Sequence, residues 1–412
     1  MTILERIKLN SAKHPERVVM RTQYGFGEMT MKWGELDAFS DKLAYYLTKE
    51  LRTNKPIIVY GHKHPMILVC FLACVKSGRA YCPIDVNVPL SRTEAIIREV
   101  EPEIILTTEP LEIDSDRIKE LQEINEIIST TDGKADSSNY VTAEDVFYII
   151  FTSGSTGTPK GVQITRDCLD NFIKWALCLG SGTAQEKVYT FMNQAPFSFD
   201  LSVMDLYLCL YTGGTLFALG KNVQVDMKLL YEALRRSGIN KWVSTPSFAD
   251  VCLADPIFSG ELLPDLTDFL FCGEILTNKT VSRLKKRFPG ANVVNTYGPT
   301  ESTCAITEIN VTDEINEKYS LPVGKPKDGT WIRISDENGN AVVDGEKGEI
   351  VIISDSVSIG YWNNAEKNKK SFGRTTVNGV EYRFYRTGDE GYIIDGMLHY
   401  CGRIDNQVKL HG

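Results

Sequence analysis

The run YIIFTSGSTGTPKG, Tyr148 to Gly161, decides how this chain is read. Its first half is aromatic and β-branched, the composition of a buried strand. Its second half holds Gly154, Gly157 and Gly161, the hydroxyls of Thr152, Ser153, Ser155, Thr156 and Thr158, and one cation, Lys160. Glycines let backbone N–H groups approach an anion, hydroxyls add donors, and a lysine supplies charge. A strand opening into such a loop is expected to cradle phosphate. It is not a Walker loop, because Lys160 follows Pro159 and the GK[ST] ending is absent. The plain alternative is a Ser/Gly-rich connection that binds nothing.

Working outward, short apolar runs alternate with helical patterns, which predicts an α/β fold. Strands are expected at Ile57–Tyr60, Ile104–Thr107, Phe147–Thr152, Val188–Met192 and Lys241–Ser244. Leu169, Phe172, Ile173 and Ala176 share one helical face, and Leu36–Leu47 forms another amphipathic stretch. Beyond about Pro322, Gly and Asp turns multiply and the strands shorten, which predicts a small β-rich unit. The expected division is 1–190 with the phosphate loop, 191–321, a β-rich unit over 322–402, and a stub over 403–412. Segment 132–140, DGKADSSNY, is the expected mobile loop.

The 412 residues suffice for two or three cores, and the net charge of −9 argues against a nucleic-acid partner. An acidic chain can still bind phosphate, provided the site is built locally from N–H groups and a few cations. The N-terminus MTILERIKLN lacks the apolar core of a signal peptide. The longest apolar run, Met66–Val75, is too short to span a bilayer and reads as a buried helix. A cytoplasmic protein with no membrane contact is expected. The ten cysteines contain no CxxC pair and are expected to be mostly reduced and buried. His62 and His64 have no zinc spacing and are expected at the surface; with no GxSxG elbow either, a serine hydrolase is set aside.

The phosphate-loop string resembles the signature of the adenylate-forming superfamily, which includes acyl-CoA synthetases, luciferases and the adenylation domains of nonribosomal peptide synthetases. Further matching segments follow family order over the whole chain: LACVKSGRAYCPID (72–85), FSFDLS (197–202), NTYGPTE (295–301), GEKGEIVI (345–352), YRTGD (385–389) and GRIDNQVK (402–409). The resemblance implies the large N-terminal body of that fold, two α/β subdomains with mixed sheets flanked by helices. It also implies ATP and Mg²⁺, with the phosphate loop and residues Asn295, Thr296, Tyr297, Gly298, Pro299, Thr300, Asp389, Tyr400, Cys401, Gly402 and Arg403 forming the ATP site.

Within NTYGPTE, Tyr297 can stack on adenine, Thr300 can donate to the α-phosphate, and Glu301 can hold Mg²⁺, which favours a carboxylate plus substrate phosphates. A turn capped by Thr-Glu is the structural alternative. Asp389 can accept the ribose hydroxyls, with Arg403 as a second contact. Lys160, Thr300 and Glu301 are the expected catalytic residues of this chain.

FSFDLS discriminates within the superfamily. Its amino-acid-activating members resemble this chain in an Asp where Asp200 stands, paired with the substrate α-ammonium. Burying an unpaired carboxylate is costly, so such an Asp implies a cationic partner. The alternative is a helix N-cap. A sharper resemblance, in 193–207, STPSF (244–248), FCGEIL (271–276) and 287–301, is to the branch that activates D-alanine for a carrier protein. There a cysteine at the position of Cys272 lies beside the substrate side chain and favours the D-isomer; core packing is its alternative. Cys304 departs from the small aliphatic residue expected in the pocket.

The implied activity is ATP-dependent formation of D-alanyl adenylate and transfer to the phosphopantetheine thiol of a D-alanyl carrier protein, feeding lipoteichoic acid D-alanylation, by a monomer. The family's catalytic lysine sits on a mobile C-terminal domain beyond the position of Gly412. Substrate binding with adenylation weakened roughly 10³-fold or more is therefore expected. The other readings are an adenylation domain for another small amino acid and a non-catalytic nucleotide-binding lobe. Asp200 disfavours an acyl-CoA synthetase.

Overall fold

A computed structural model of the chain describes residues 1–24, 27–152, 159–183, 187–317 and 320–404. Two sheets with parallel cores and a smaller antiparallel sheet organise it. The first sheet has six strands in the order Ile118–Lys119, Ile105–Thr107, Ile57–Tyr60, Tyr81–Ile84, Val146–Thr152 and Lys160–Thr165. All pair in parallel except the last two, which form an antiparallel hairpin. Ile57–Tyr60 and Tyr81–Ile84 are buried along their whole length, as parallel strands covered on both faces must be. The Met66–Lys76 helix is buried throughout, so the ten-residue apolar run is core.

The second sheet has nine strands. Val18–Tyr24, Thr215–Ala218, Thr190–Asn193, Lys241–Ser244, Asp268–Phe271 and Asn292–Tyr297 run parallel in its centre. Antiparallel strands flank them on both sides. The first two strands, Val18–Tyr24 and Gly27–Lys32, thus join this sheet across the sequence boundary expected near residue 190. Between the sheets lies the helix Leu201–Thr212, buried from Leu201 to Leu210. It stops at Gly213, whose φ of 72° only glycine adopts without strain.

The third sheet is antiparallel and comprises Thr330–Ser335, Gly348–Ser354, Phe372–Val377, Val380–Ile394 and Met397–Arg403. Segment 132–140, expected to be mobile, contains the 3-10 turn Ser137–Asn139, and Val141 N–H bonds the Val75 carbonyl. No helix among the described residues is long and apolar enough to cross a membrane. Eight cysteines are buried; Cys178 and Cys401 are exposed.

His62 corrects the surface expectation. It is buried, and its Nδ1 lies 2.6 Å from Asp85 Oδ2. The reason is register: Tyr60 pairs with Ile84, so the residues just past these neighbouring strand ends meet. The Asp85 carboxyl is held below its usual range because the His62 hydrogen bond and the Asn87 N–H outweigh the opposing effect of burial.

Candidate functional site

In an open α/β sheet, ligands bind outside the carboxyl ends of the strands. Four neighbouring strands of the nine-stranded sheet end in the motifs singled out by sequence. Thr190–Asn193 leads to the Asp200 loop, and Lys241–Ser244 to Thr245. Asp268–Phe271 leads to Cys272 and Gly273, and Asn292–Tyr297 to Gly298 through Glu301. Their pairing in parallel register brings all four loops to one edge.

A cleft of about 340 Å³ opens there, within the range of roughly 300–1,000 Å³ typical of small-molecule sites. Asn295, Thr296, Tyr297, Gly298 and Pro299 line it from the large sheet, and Asp389, Tyr400, Gly402 and Arg403 from the small one. Asp389 and Arg403 face each other across adjacent strands, with Arg403 Nη1 3.2 Å from Asp389 Oδ1. Tyr297 Oη donates to Asp389 Oδ2 at 2.6 Å, and its ring lies 5.5 Å from that of Tyr400. Burial and the neighbouring Asp389 carboxylate push the Tyr297 phenol well above its usual range, so it stays a donor. Cys401 belongs elsewhere: it is exposed and does not line the cleft. Side chains of a strand alternate faces, which separates it from Tyr400.

The phosphate-loop hairpin sets Thr152 and Lys160 directly across from each other in register. Ser153, Gly154, Ser155, Thr156 and Gly157, named above as phosphate contacts, lie outside the described residues. Lys160 Nζ lies 5.2 Å from the centroid of the Tyr361 ring, a cation–π distance. The same tyrosine donates its hydroxyl to Glu301 Oε1 at 2.6 Å, and Tyr385 Oη is 3.2 Å from it. Burial, with Glu301 adjacent, raises the Tyr361 phenol far above its usual range. Tyr361 therefore joins two predicted site residues, yet sequence reasoning passed it over. The backbone explains its position: Trp362 N–H bonds Gly161, and Gln163 N–H bonds Gly360, stitching this segment to the loop's exit strand.

Thr300 and Glu301 lie in a short 3-10 turn. Thr303 and Cys304 follow with φ of 63° and 68°, in the left-handed region that non-glycine residues avoid. Thr303 is fully buried and donates to the Ser356 carbonyl at 2.8 Å, which helps to fix that backbone. Strain of this kind tends to collect at functional sites. A Cβ at Gly298 would come within 2.6 Å of Ala305 Cα, so this turn needs glycine.

Asp200, Cys272 and Cys304 are buried beside this cleft rather than in its lining. Cys272 Sγ donates to the Cys304 carbonyl at 3.6 Å, and Cys272 directly precedes the lining residue Gly273. The Cys272 thiol, burial and the Asp200 carboxylate hold the Cys304 thiol protonated, well above its usual range. Asp200 stands at the N-cap position of the Leu201–Thr212 helix with helical backbone angles, and its side chain makes no capping hydrogen bond. That geometry does not match the capping alternative.

The fold and cleft define an α/β protein with a cleft of small-molecule size between a parallel sheet's carboxyl edge and an antiparallel sheet, lined by a carboxylate and a guanidinium. The chain belongs to the AMP-binding enzyme family, whose profile matches residues 7–362. It is 46% identical over 415 residues to a D-alanine–D-alanyl carrier protein ligase of Bacillus licheniformis, covering 100% of this chain and 80% of that relative. A relative of the same name from Listeria welshimeri is 44% identical over 420 residues, with the same coverage. Among solved structures, holo-PA1221 is a nonribosomal peptide synthetase protein with adenylation and PCP domains, bound to a vinylsulfonamide inhibitor. It superposes with a TM-score of 0.85 at 28% identity, covering 99% of this chain and 69% of its own.

Proposed function

We propose that this chain activates D-alanine with ATP to form D-alanyl adenylate and passes the alanyl group to the phosphopantetheine thiol of a carrier protein. A carboxylate oxygen of D-alanine attacks the α-phosphorus of ATP while the bond to the bridging oxygen breaks and pyrophosphate leaves. The thiol sulfur then attacks the acyl carbon, AMP departs with the carboxyl oxygen, and the thiol proton is released. Both steps bring anionic or electron-rich groups together, so catalysis rests on positioning and charge neutralisation.

In this reading Tyr297 and Tyr400 contact adenine, Asp389 and Arg403 the ribose, and Lys160 and the phosphate loop the triphosphate. Thr300 donates to the α-phosphate. Asp200 pairs with the α-ammonium, and Cys272 and Cys304 border the methyl group. Mg²⁺ fits Glu301: the residue is a buried carboxylate oriented by Tyr361. No three His, Cys, Asp or Glu side chains among the described residues cluster into a cage. Such an ion takes its remaining ligands from phosphate and water, as Mg²⁺ does. Once bound, it would neutralise charge on the departing pyrophosphate. A cytoplasmic monomer serving lipoteichoic acid D-alanylation completes the proposal.

The observation that carries the reading is Asp200: a buried carboxylate at a helix start that makes no capping hydrogen bond, acts on the Cys304 thiol, and follows Phe199, whose ring packs on the cleft residue Gly273. Calorimetry with ATP and Mg²⁺, and separately with a non-hydrolysable D-alanyl adenylate mimic, tests it. The mimic is expected to bind much more tightly than ATP. Indistinguishable affinities for the mimic and for AMP would remove the amino-acid site and leave only a nucleotide-binding lobe.

A further inference from the structure

The loop carrying Asp200 is held from behind by a side chain of the other sheet. Strand Ile57–Tyr60 runs into Gly61-His62-Lys63-His64-Pro65, and Lys63 is completely buried. Its Nζ donates to Asn193 Oδ1 and to the Ala195 carbonyl, and lies 4.3 Å from the centroid of the Phe197 ring. Asn193 closes its strand and donates from Nδ2 to Asp205 Oδ1 at 2.8 Å. Asp205 sits one turn into the Leu201–Thr212 helix, just past Asp200. One ammonium thus grips the start and middle of segment 193–200 and, through Asn193, the helix that follows.

The arrangement is costly. Burying an ammonium and a carboxyl group away from water is unfavourable, and an apolar side chain would fill the same space with less penalty. Burial pulls the Lys63 ammonium down to about 8, against the charges of Asp205 and Asp85. It also pushes the Asp205 carboxyl far above its usual range. What the network gives in return is geometry. Its acceptors are a carbonyl and an amide oxygen of the loop itself. Beyond Gln194, which bonds the Gln224 side chain, the loop's hydrogen bonds from Pro196 onward are short-range, such as Phe199 N–H to Pro196 and Val203 N–H to Asp200. A recognition carboxylate displaced by about 1 Å can lose 10²-fold in rate or binding.

Resting on the reading of Asp200 as the ammonium ligand, we propose that Lys63 is a positioning residue for amino-acid recognition. Touching neither substrate, it fixes loop 194–200 from the six-stranded sheet so that Asp200 stands at the right distance from the cleft. The same contact makes amino-acid affinity sensitive to how the two large sheets pack together, whereas the adenosine contacts, carried by 295–299 and 389–403, are independent of it.

The test compares two ligands on the chain with Lys63→Met: AMP and the non-hydrolysable D-alanyl adenylate mimic. The Kd for the mimic is expected to rise tenfold or more while that for AMP changes less than twofold. Equal weakening of both would mark Lys63 as merely structural, and an unchanged mimic affinity would also overturn the proposal. If Lys63→Met does not fold by circular dichroism, Asp205→Asn removes the carboxyl group while keeping volume and an oxygen for Asn193. The same selective loss is expected there, and its absence overturns the proposal equally. A parent chain that prefers the mimic no more than AMP defeats the amino-acid reading itself, and this proposal with it.

Discussion

Asp200→Asn isolates the charge on which amino-acid recognition depends. The substitution keeps volume and one acceptor oxygen, so packing around this residue, only 7% exposed, is preserved. At about 4 Å and an effective dielectric near 20, two unit charges attract by roughly 4 kcal/mol. The asparagine retains part of this as a neutral hydrogen bond of about 1 kcal/mol. The net loss is therefore about 3 kcal/mol, or roughly 150-fold in Kd. Calorimetric titration of the D-alanyl adenylate mimic should show that loss, while AMP affinity stays within twofold. A mimic lacking the amino group should bind parent and variant alike. Should Asp200→Asn retain the mimic within threefold, or lose AMP in the same proportion, the ammonium pairing is wrong.

Three further outcomes follow from the geometry. Asp389→Ala removes the carboxylate that Tyr297 and Arg403 orient in the cleft; losing a charge-assisted hydrogen bond costs about 1.5–3 kcal/mol. AMP affinity measured by calorimetry should fall roughly 10- to 150-fold, and an unchanged value would remove Asp389 from the nucleotide site. Tyr361→Phe deletes the donor to Glu301. ATP affinity in Mg²⁺ should drop about threefold to tenfold on loss of one such bond, with AMP affinity without Mg²⁺ unchanged; parallel losses would make Tyr361 simply a packing residue. The third concerns Cys70, whose thiol burial raises to about 12 from 9.0. Between those values the unfolded chain has released a proton that the fold retains, so this group's stabilising contribution is complete below about pH 9 and disappears toward pH 12. Denaturation of Cys70→Ala in reducing buffer should lose stability less steeply than the parent, by about 1.4 kcal/mol per pH unit over that window. Superimposed slopes would contradict it.

The central strands were legible because parallel strands buried on both faces read as unbroken apolar runs. Ile57–Tyr60 and Lys241–Ser244 are strands over those very residues, and Val188–Met192 corresponds to Thr190–Asn193. The cleft residues of NTYGPTE were legible because an aromatic, a carboxylate and turn residues lie close together in sequence, while those of YRTGD, a plain turn by itself, came only through the family resemblance. What sequence hid is pairing at a distance. Nothing local joins Val18–Tyr24 to Thr215–Ala218. Tyr361 meets Glu301 across 60 positions, and Lys63 meets Asn193 across 130. His62 read as a surface residue because its loop is polar, while its partner Asp85 stands just past the end of a neighbouring strand, 23 residues on. Cys401 was drawn in by its neighbours Tyr400 and Gly402, although strand alternation turns it outward.

The claim that the site is shaped for one small zwitterion of D configuration is tested most directly by ranking mimics on this chain. Calorimetry of D-alanyl, L-alanyl, glycyl and D-valyl adenylate mimics isolates the pocket from every shared nucleotide contact. The account predicts the D-alanyl compound to bind tightest, at least tenfold ahead of its L-isomer, with the valyl compound weakest. Tighter binding of the L-alanyl or valyl compound would contradict it.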